Sequence, residues 1–283
     1  MQTKSTPQTE LMPLSSSPTL LVLIALLGAC IGSFLNVVAW RLPRQESVVR
    51  PRSHCPRCGT NLSWIENIPV LSWVLLRGRC RHCGAGISGR YPAVELLCSG
   101  LFVAAAMGQS QALSEANPML VLLGGWLLIA LLLPLILIDL DHLWLPEPLC
   151  RWGVVLGLLI TAIAAPKLLL WHLLAASAGL LSFEATSALA EKLLGKPALG
   201  LGDAKLAALL GAWLGLMGLG ISVMLAVFSG ALFGIAGLLS GRLKRGQPFP
   251  FGPFLAGGGL AVWMAGHGFW LQQLSERLGW SAL

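Results

Sequence analysis

Long stretches without a charged residue decide what this chain can fold into. The longest are Leu11–Trp40, Leu206–Gly241 and Gly246–Ser275, and Leu206–Gly241 alone contains 36 residues. About 20 apolar residues cross a bilayer as an α-helix, so these runs predict membrane spans and the 36-residue run predicts two. Charged residues make up only 11% of the chain, against about 25% in soluble domains. Because backbone groups in lipid must bond to one another, the spans are predicted to be helices rather than open strands.

The predicted fold is therefore an all-α polytopic membrane protein with about eight transmembrane helices. Breaks between spans are expected at Pro118, Pro166 and a Gly218–Gly220 turn, since proline and glycine interrupt helices. The first span ends in Arg41 and follows a start that carries only Lys4, which favours an uncleaved helix over a signal peptide. The predicted spans lie near residues 20–40, 92–108, 119–138, 150–166, 168–190, 204–219, 221–240 and 252–272.

Basic residues predict the orientation of these spans. With the N-terminus outside and eight alternating spans, 16 of the 19 Lys and Arg residues fall in inside loops, and only Lys4, Lys167 and Arg277 fall outside. Such a bias is typical of loops on the cytoplasmic side. The chain is thus expected in a bacterial inner membrane, and its net charge of +7 reflects topology and contact with anionic membrane lipid. Nothing in the sequence indicates nucleic acid binding.

Four of the seven cysteines form a metal-binding pattern in the loop after the first span. Cys55-x2-Cys58 and Cys80-x2-Cys83 are separated by 21 residues, and a glycine follows each pair. Two-residue spacing lets both thiolates of a turn point at one ion, and four sulfurs suit tetrahedral Zn²⁺. Two disulfides are the alternative, but a cytoplasmic loop keeps its thiols reduced. Four sulfurs fill the coordination sphere, so the zinc is predicted to be structural; His54 and His82 are expected to be its neighbours.

Acidic residues at the ends of spans are functional candidates, because charge in a membrane is costly. Asp139 ends the third predicted span and Asp203 begins the sixth, within Gly200-Leu-Gly202-Asp203. Alternation of the spans places both on the cytoplasmic side. Two close carboxylates can share a proton, so that one activates water while the other protonates the departing group. The simpler readings are a helix N-cap for Asp203 and a span end for Asp139.

The chain resembles the type IV prepilin peptidases, also called prepilin leader peptidase/N-methyltransferases. The matching stretches occur in the family's order over almost the whole chain: GSFLNVVAWRLP (Gly32–Pro43), the cysteine pairs, WIENIPVLSW (Trp64–Trp73), GRYPAVEL (Gly89–Leu96), IDLDHLWLPE (Ile138–Glu147), GLGDAKL (Gly200–Leu206) and PFGPFLA (Pro250–Ala256).

This resemblance implies an enzyme that cuts the basic leader from prepilins or prepilin-like (pseudopilin) proteins of pilus or type II secretion systems. It also implies methylation of the new N-terminus with S-adenosylmethionine, although no stretch of the sequence identifies the residues that bind this methyl donor. The family's catalytic pair corresponds to Asp139 and Asp203. Glu147 departs from the family, which usually has Asp at that position.

The predicted domains are an N-terminal tail with the first transmembrane helix (1–40), a cytoplasmic four-cysteine zinc-binding loop domain (41–91) and a transmembrane aspartic peptidase domain (92–283). Two other functions remain open on the residues alone. One is a non-enzymatic membrane transporter or secretion scaffold whose zinc-knuckle loop docks partners and whose acids relay protons. The other is a zinc hydrolase, which is disfavoured because four cysteines leave no open position on the ion.

Overall fold

Eight α-helices build the part of the chain that the computed structural model describes, which comprises residues 17–108, 117–195, 200–244 and 247–278. The predicted N-terminal tail, Lys196 and Arg245 lie outside these residues. The described ranges contain no β-strand beyond two isolated bridges. The helices are α1 (Pro18–Arg41), α2 (Leu71–Leu75), α3 (Arg90–Met107), α4 (Pro118–His142), α5 (Glu147–Ala164), α6 (Leu169–Leu194), α7 (Leu201–Leu239) and α8 (Gly252–Leu278).

Six of these helices, namely α1 and α3 to α7, are long and apolar enough to cross a membrane. This confirms the prediction of an all-helical, multi-pass membrane protein. Two of the predicted breaks are also confirmed: Pro118 begins α4, where the Asn117 side chain accepts a hydrogen bond from the Met119 N–H, and Pro166 begins a short 3₁₀ helix before α6. Proline suits these first positions because its missing N–H would have no partner there.

Helix α4 is the centre of the bundle. Its residues Leu128, Ile129, Leu132 and Leu135 are fully buried, and it packs against α1, α3, α5 and α8. A helix that is apolar on every side is buried by its neighbours, whereas the large exposed apolar side chains of the outer helices suit contact with lipid.

The N-terminal helices α1 and α3 pack through small residues. A Cβ atom at Gly28 would lie 2.8 Å from the Cα of Ser99, and one at Gly32 would lie 2.9 Å from the Cα of Glu95. This Gly-x3-Gly spacing lets the two backbones approach closely, as membrane helices commonly do. The four-cysteine loop connects these two helices.

Helix α7 reverses direction at Gly215, whose φ of 67° and ψ of −176° are not helical. Before this point Leu210 lies beside Gly259 and Trp213 beside Trp263, whereas after it Gly218 lies beside Val262 and Ser222 beside Gly258. Helix α8 is therefore parallel to the first part of α7 and antiparallel to the second part. Two antiparallel helical segments are thus observed in this region, but the prediction that the break lies at Gly218–Gly220 is wrong, because the non-helical φ and ψ lie at Gly215.

Helix α8 also turns back, at Gly266 with φ 77° and ψ 151°. The indole N–H of Trp270 donates to the carbonyl of Ala261 at 3.2 Å, which a straight helix would place about 13 Å apart along its axis. The predicted span over 252–272 therefore does not continue straight through Gly266, and α8 is not among the six helices long and apolar enough to cross.

Candidate active site and metal centre

Helix ends gather at one end of the bundle and bring the acidic residues together. The start of α3 contacts the end of α4 through Arg90 and Asp141, the start of α8 contacts α4 through Gly252 and Asp139, and the start of α7 contacts that of α5 through Lys205 and Glu147. The loop with the four cysteines leaves the bundle at this same end, because it joins α1 to α3.

Asp139 lies in the last turn of α4 and is only 5% exposed. Its Oδ2 accepts a hydrogen bond of 3.0 Å from the N–H of Gly252, the first residue of α8. A Cβ atom at position 252 would lie 2.6 Å from this same oxygen. Only glycine at position 252 lets the backbone N–H come this close to the carboxylate without a side chain overlapping it. The sequence did not predict this contact, although the PFGPFLA stretch contains Gly252.

Asp203 lies in the first turn of α7 and is 9% exposed. Its Oδ2 accepts a hydrogen bond of 3.2 Å from the N–H of Gly200, and its charge is close enough to interact with that of Asp139. The structure therefore brings together the two carboxylates that lie 64 positions apart in the sequence. Gly202 has a packing role, because a Cβ atom there would lie 3.0 Å from the Cβ of Leu145.

The neighbouring charged residues are paired with one another rather than with these two carboxylates. Lys205 Nζ lies 2.9 Å from Glu147 Oε2 and so joins the start of α7 to the start of α5. Arg90 Nη1 lies 2.7 Å from both oxygens of Asp141, and its Nη2 donates to the carbonyl of Leu137 at 3.2 Å. Asp141 thus points away from Asp139, as expected for residues two apart on a helix.

Two similar turns bring the four cysteines together. In the first turn the N–H of Gly59 donates to the carbonyl of Cys55, and in the second the N–H of Gly84 donates to that of Cys80, both at 2.9 Å. Gly59 and Gly84 have φ values of 71° and 69°, which favour glycine. The four sulfurs lie within 4.8 Å of one another and are not joined by disulfides, so they can hold a metal ion.

The thiols of this cluster differ in acidity. Hydrogen bonds with the side chain and the backbone of Thr60 lower the pKa of Cys58 to about 6. Backbone hydrogen bonds with Cys83 and His82 lower the pKa of Cys80. At Cys83 a hydrogen bond with the backbone of Ala85 acts to lower the pKa, but burial and the other three thiols raise it to about 11. Two thiols are thus disposed to ionise, which is the form that binds metal.

The two histidines beside the cysteines have other partners. His54 Nδ1 lies 3.1 Å from the carbonyl of Arg52, and His82 Nε2 lies 3.8 Å from Glu66. Glu66 also accepts hydrogen bonds from the backbone and the hydroxyl of Ser63, which, with a smaller contribution from the charge of His82, hold the pKa of its carboxyl below the usual range. The Glu66–His82 contact links the segment after the first turn to the second turn.

Comparison with known proteins gives matches over most of the chain. Residues 26–108 match the family described as the bacterial peptidase A24 N-terminal domain, and residues 126–235 match the type IV leader peptidase family. A prepilin leader peptidase/N-methyltransferase of Aeromonas salmonicida is 38% identical over 86% of this chain and 89% of its own length. This chain belongs to the type IV leader peptidase family.

Two further prepilin leader peptidase/N-methyltransferases agree with this assignment. The one from Stutzerimonas stutzeri is 38% identical over 89% of this chain and 92% of its own length. The one from Myxococcus xanthus is 43% identical over 79% of this chain, and the match spans 64% of that relative. No solved structure gives a significant match.

Proposed function

We propose that this chain cleaves the basic leader from type IV prepilins or prepilin-like (pseudopilin) proteins and then N-methylates the new N-terminal residue. The observation that supports cleavage best is the pair of buried carboxylates, Asp139 and Asp203, which approach each other from two helices at one end of the bundle. The names of the relatives support both activities, and membership of a peptidase family favours hydrolysis over a proton-relay or scaffold role.

The two carboxylates divide the proton transfers of peptide hydrolysis. The ionised carboxylate takes a proton from water as the water oxygen attacks the scissile carbonyl, and the neutral carboxyl gives its proton to the carbonyl oxygen. When the tetrahedral intermediate collapses, the C–N bond breaks and the departing nitrogen receives a proton from the dyad. Gly252 and Gly200 position the two carboxylates through their N–H groups, and no metal takes part.

The metal of the cysteine cluster is zinc in this proposal, held by Cys55, Cys58, Cys80 and Cys83. Tetrahedral zinc with bonds of about 2.3 Å needs sulfurs about 3.8 Å apart. The sulfurs of Cys55 and Cys83 are separated by 3.8 Å, which supports this ion. The zinc fastens the two turns together and takes no part in catalysis, because its four ligands are all protein sulfurs.

The proposed location is the bacterial inner membrane, with the active site on the cytoplasmic side. Several basic residues lie at the helix ends near the carboxylates, among them Arg41, Arg44, Arg90, Arg151 and Lys205. This distribution supports the orientation that the loop charges predict. In this proposal residues 1–40 form the N-terminal tail and first transmembrane helix, residues 41–91 the cytoplasmic zinc-binding loop domain, and residues 92–283 the transmembrane peptidase domain.

Mass analysis of a prepilin incubated with the purified protein and S-adenosylmethionine tests this function. The expected product has lost the leader and carries one added methyl group, which raises its mass by about 14 Da because the methyl replaces a hydrogen. Loss of the leader without the methyl group would contradict only the methyl transfer, whereas an unchanged prepilin would contradict the proposal as a whole.

A further inference from the structure

A cavity of about 310 Å³ lies at the end of the bundle where the carboxylates are, between the last turns of α1 and α4 and the start of α3. Its walls include Asn36, Trp40, Arg44, Arg90, Tyr91 and Asp141. The residues come from both matched regions, and neither Asp139 nor Asp203 lines the cavity. Its size falls within the range of about 300–1,000 Å³ that is typical of small-molecule sites. The proposed peptide hydrolysis by Asp139 and Asp203 does not use this cavity.

The cavity carries one positive charge that is not neutralised. Arg90 is paired with Asp141, so these two charges cancel. Arg44 is exposed and has no carboxylate within 4 Å among the residues that the structure describes. Its guanidinium lies 3.6 Å above the Trp40 ring and donates to the Trp40 carbonyl at 2.6 Å, so the charge is held in place. Such a site favours a ligand with a carboxylate and disfavours a basic leader peptide.

The cavity also offers two accessible aromatic rings. Trp40 is 51% exposed and Tyr91, the one tyrosine of the sequence, is 39% exposed. The buried side chain of Asn36 donates to the Tyr91 carbonyl at 3.2 Å and so fixes the start of α3 against α1. One face of Trp40 is covered by the Arg44 guanidinium, so the exposed remainder of this ring and the Tyr91 ring are the aromatic surfaces that suit the purine of a ligand whose carboxylate bonds to Arg44.

We propose that this cavity binds S-adenosylmethionine, with the ligand's carboxylate on Arg44 and its adenine against Trp40 and Tyr91. This assignment rests on the methyl transfer proposed above. In that step the neutral N-terminal amine attacks the methyl carbon, an N–C bond forms as the S–C bond breaks, and the amine releases a proton to water. The products are the methylated N-terminus and S-adenosylhomocysteine. Asp141 lines the cavity two residues after Asp139, so the peptide need not travel far between the two reactions.

Calorimetric titration of the purified full chain with S-adenosylhomocysteine tests the site without turnover. Arg44→Gln and Trp40→Leu are each expected to raise the Kd about tenfold or more, because a charge-assisted hydrogen bond or a stacking surface is lost. Arg44→Lys keeps the charge and is expected to bind better than Arg44→Gln. The matched controls are Arg57→Gln and Trp64→Leu, which alter exposed residues outside the cavity.

The outcomes separate this site from its alternatives. If Trp40→Leu and Arg44→Gln bind the nucleoside as the unaltered chain does, the assignment is overturned. Weaker binding in Trp64→Leu would also overturn it, because Trp64 lines a second cavity of about 690 Å³. Loss of phosphatidylglycerol binding in Arg44→Gln with an unchanged Kd for the nucleoside would make Arg44 a lipid ligand and also overturn it. If the unaltered chain methylates prepilin but the variants do so equally well, the site fails and the function stands. If the unaltered chain neither binds the nucleoside nor methylates, the methyl transfer itself fails.

Discussion

Asp139 is held by a residue that lies 113 positions later in the chain. The N–H of Gly252 donates to its carboxylate, and a methyl group at position 252 would overlap the accepting oxygen. We therefore expect Gly252→Ala to reduce leader cleavage at least about tenfold, because the displaced carboxylate loses both its donor and its position. The measurement is the initial rate of cleavage of a prepilin by the purified variant.

Gly257→Ala is the matched control for this change. It makes the same substitution in the same helix, but the space around a Cβ atom there is open. Equal rates for the two variants would show that the Gly252 contact does not position Asp139.

Because one carboxylate is proposed to act as the general base and the other as the general acid, each is expected to be essential for cleavage. Asp139→Asn and Asp203→Asn keep the size of the side chain but remove its acid–base function, so each is expected to lower cleavage by a factor of about 10² to 10⁴. Asp141→Asn is expected to keep part of the activity, because Asp141 is bonded to Arg90 and points away from the dyad. Cleavage rates are compared at equal amounts of membrane-inserted protein. Full activity in either of the first two variants would refute the catalytic assignment.

At the scale of elements, the two cysteine turns are expected to depend on the zinc proposed to lie between them. The segment from Leu42 to Gly89 contains one short α-helix and two 3₁₀ turns and buries only the side chains of Cys55 and Cys80, so metal binding is expected to supply much of its folding free energy. We expect one zinc per chain by elemental analysis and its loss in Cys58→Ser. We also expect methyl transfer or thermal stability to suffer more than hydrolysis.

Cys30→Ser provides the comparison for the zinc measurement. Cys30 is an exposed cysteine of α1 that lies outside the cluster, and its replacement is expected to leave the zinc content unchanged. Intact, reduced protein without any zinc would contradict the metal assignment.

The reversal of α7 at Gly215 makes a second prediction at this scale. Its φ and ψ are open to glycine alone, and His172 lies close by, with Nδ1 3.0 Å from the carbonyl of Ala212. Gly215→Ala is expected to destabilise the protein by about 1–3 kcal/mol, seen as a lower midpoint of thermal unfolding. Gly220→Ala, a helical glycine with open space around it, is expected to lack this effect.

The sequence located the helices better than it located their turns. Proline marks the start of α4 and the start of the 3₁₀ helix before α6 clearly, because the ring removes a donor that only a helix start can spare. Four glycines lie between positions 211 and 220, and nothing in their spacing indicates that Gly215 is the one with positive φ. The reversal at Gly266 was missed for the same reason: the choice depends on packing against α7, including the contact between Trp213 and Trp263.

At the scale of the whole molecule, the sequence predicted the membrane class, the multi-pass helical fold and the cysteine cluster, because each depends on local composition or spacing. The approach of Asp139 and Asp203 was expected from alternation of the spans, and the structure brings them together. The contact of Gly252 with Asp139 could not be predicted, because it joins residues 113 positions apart. The cavity beside Arg44 could not be predicted either, because its walls come from three helices. The pairing of Glu147 with Lys205 likewise needed coordinates.

The reversals in α7 and α8 leave two helical segments that are shorter than the hydrocarbon of a bilayer is thick. From Leu201 to Gly215, and from Gly252 to Gly266, each segment rises about 21 Å, against about 30 Å of acyl chains. If both reversals lie at the far surface of the hydrocarbon, the Gly252 donor of Asp139 lies about 9 Å below the near surface and Asp203 about 12 Å below it, so lipid must thin or water must enter to reach them. Leader cleavage should therefore fall as acyl chains lengthen from 14 to 22 carbons in reconstituted vesicles. A rate independent of chain length would indicate that the protein alone shapes this depression, so that membrane composition has no control over the enzyme.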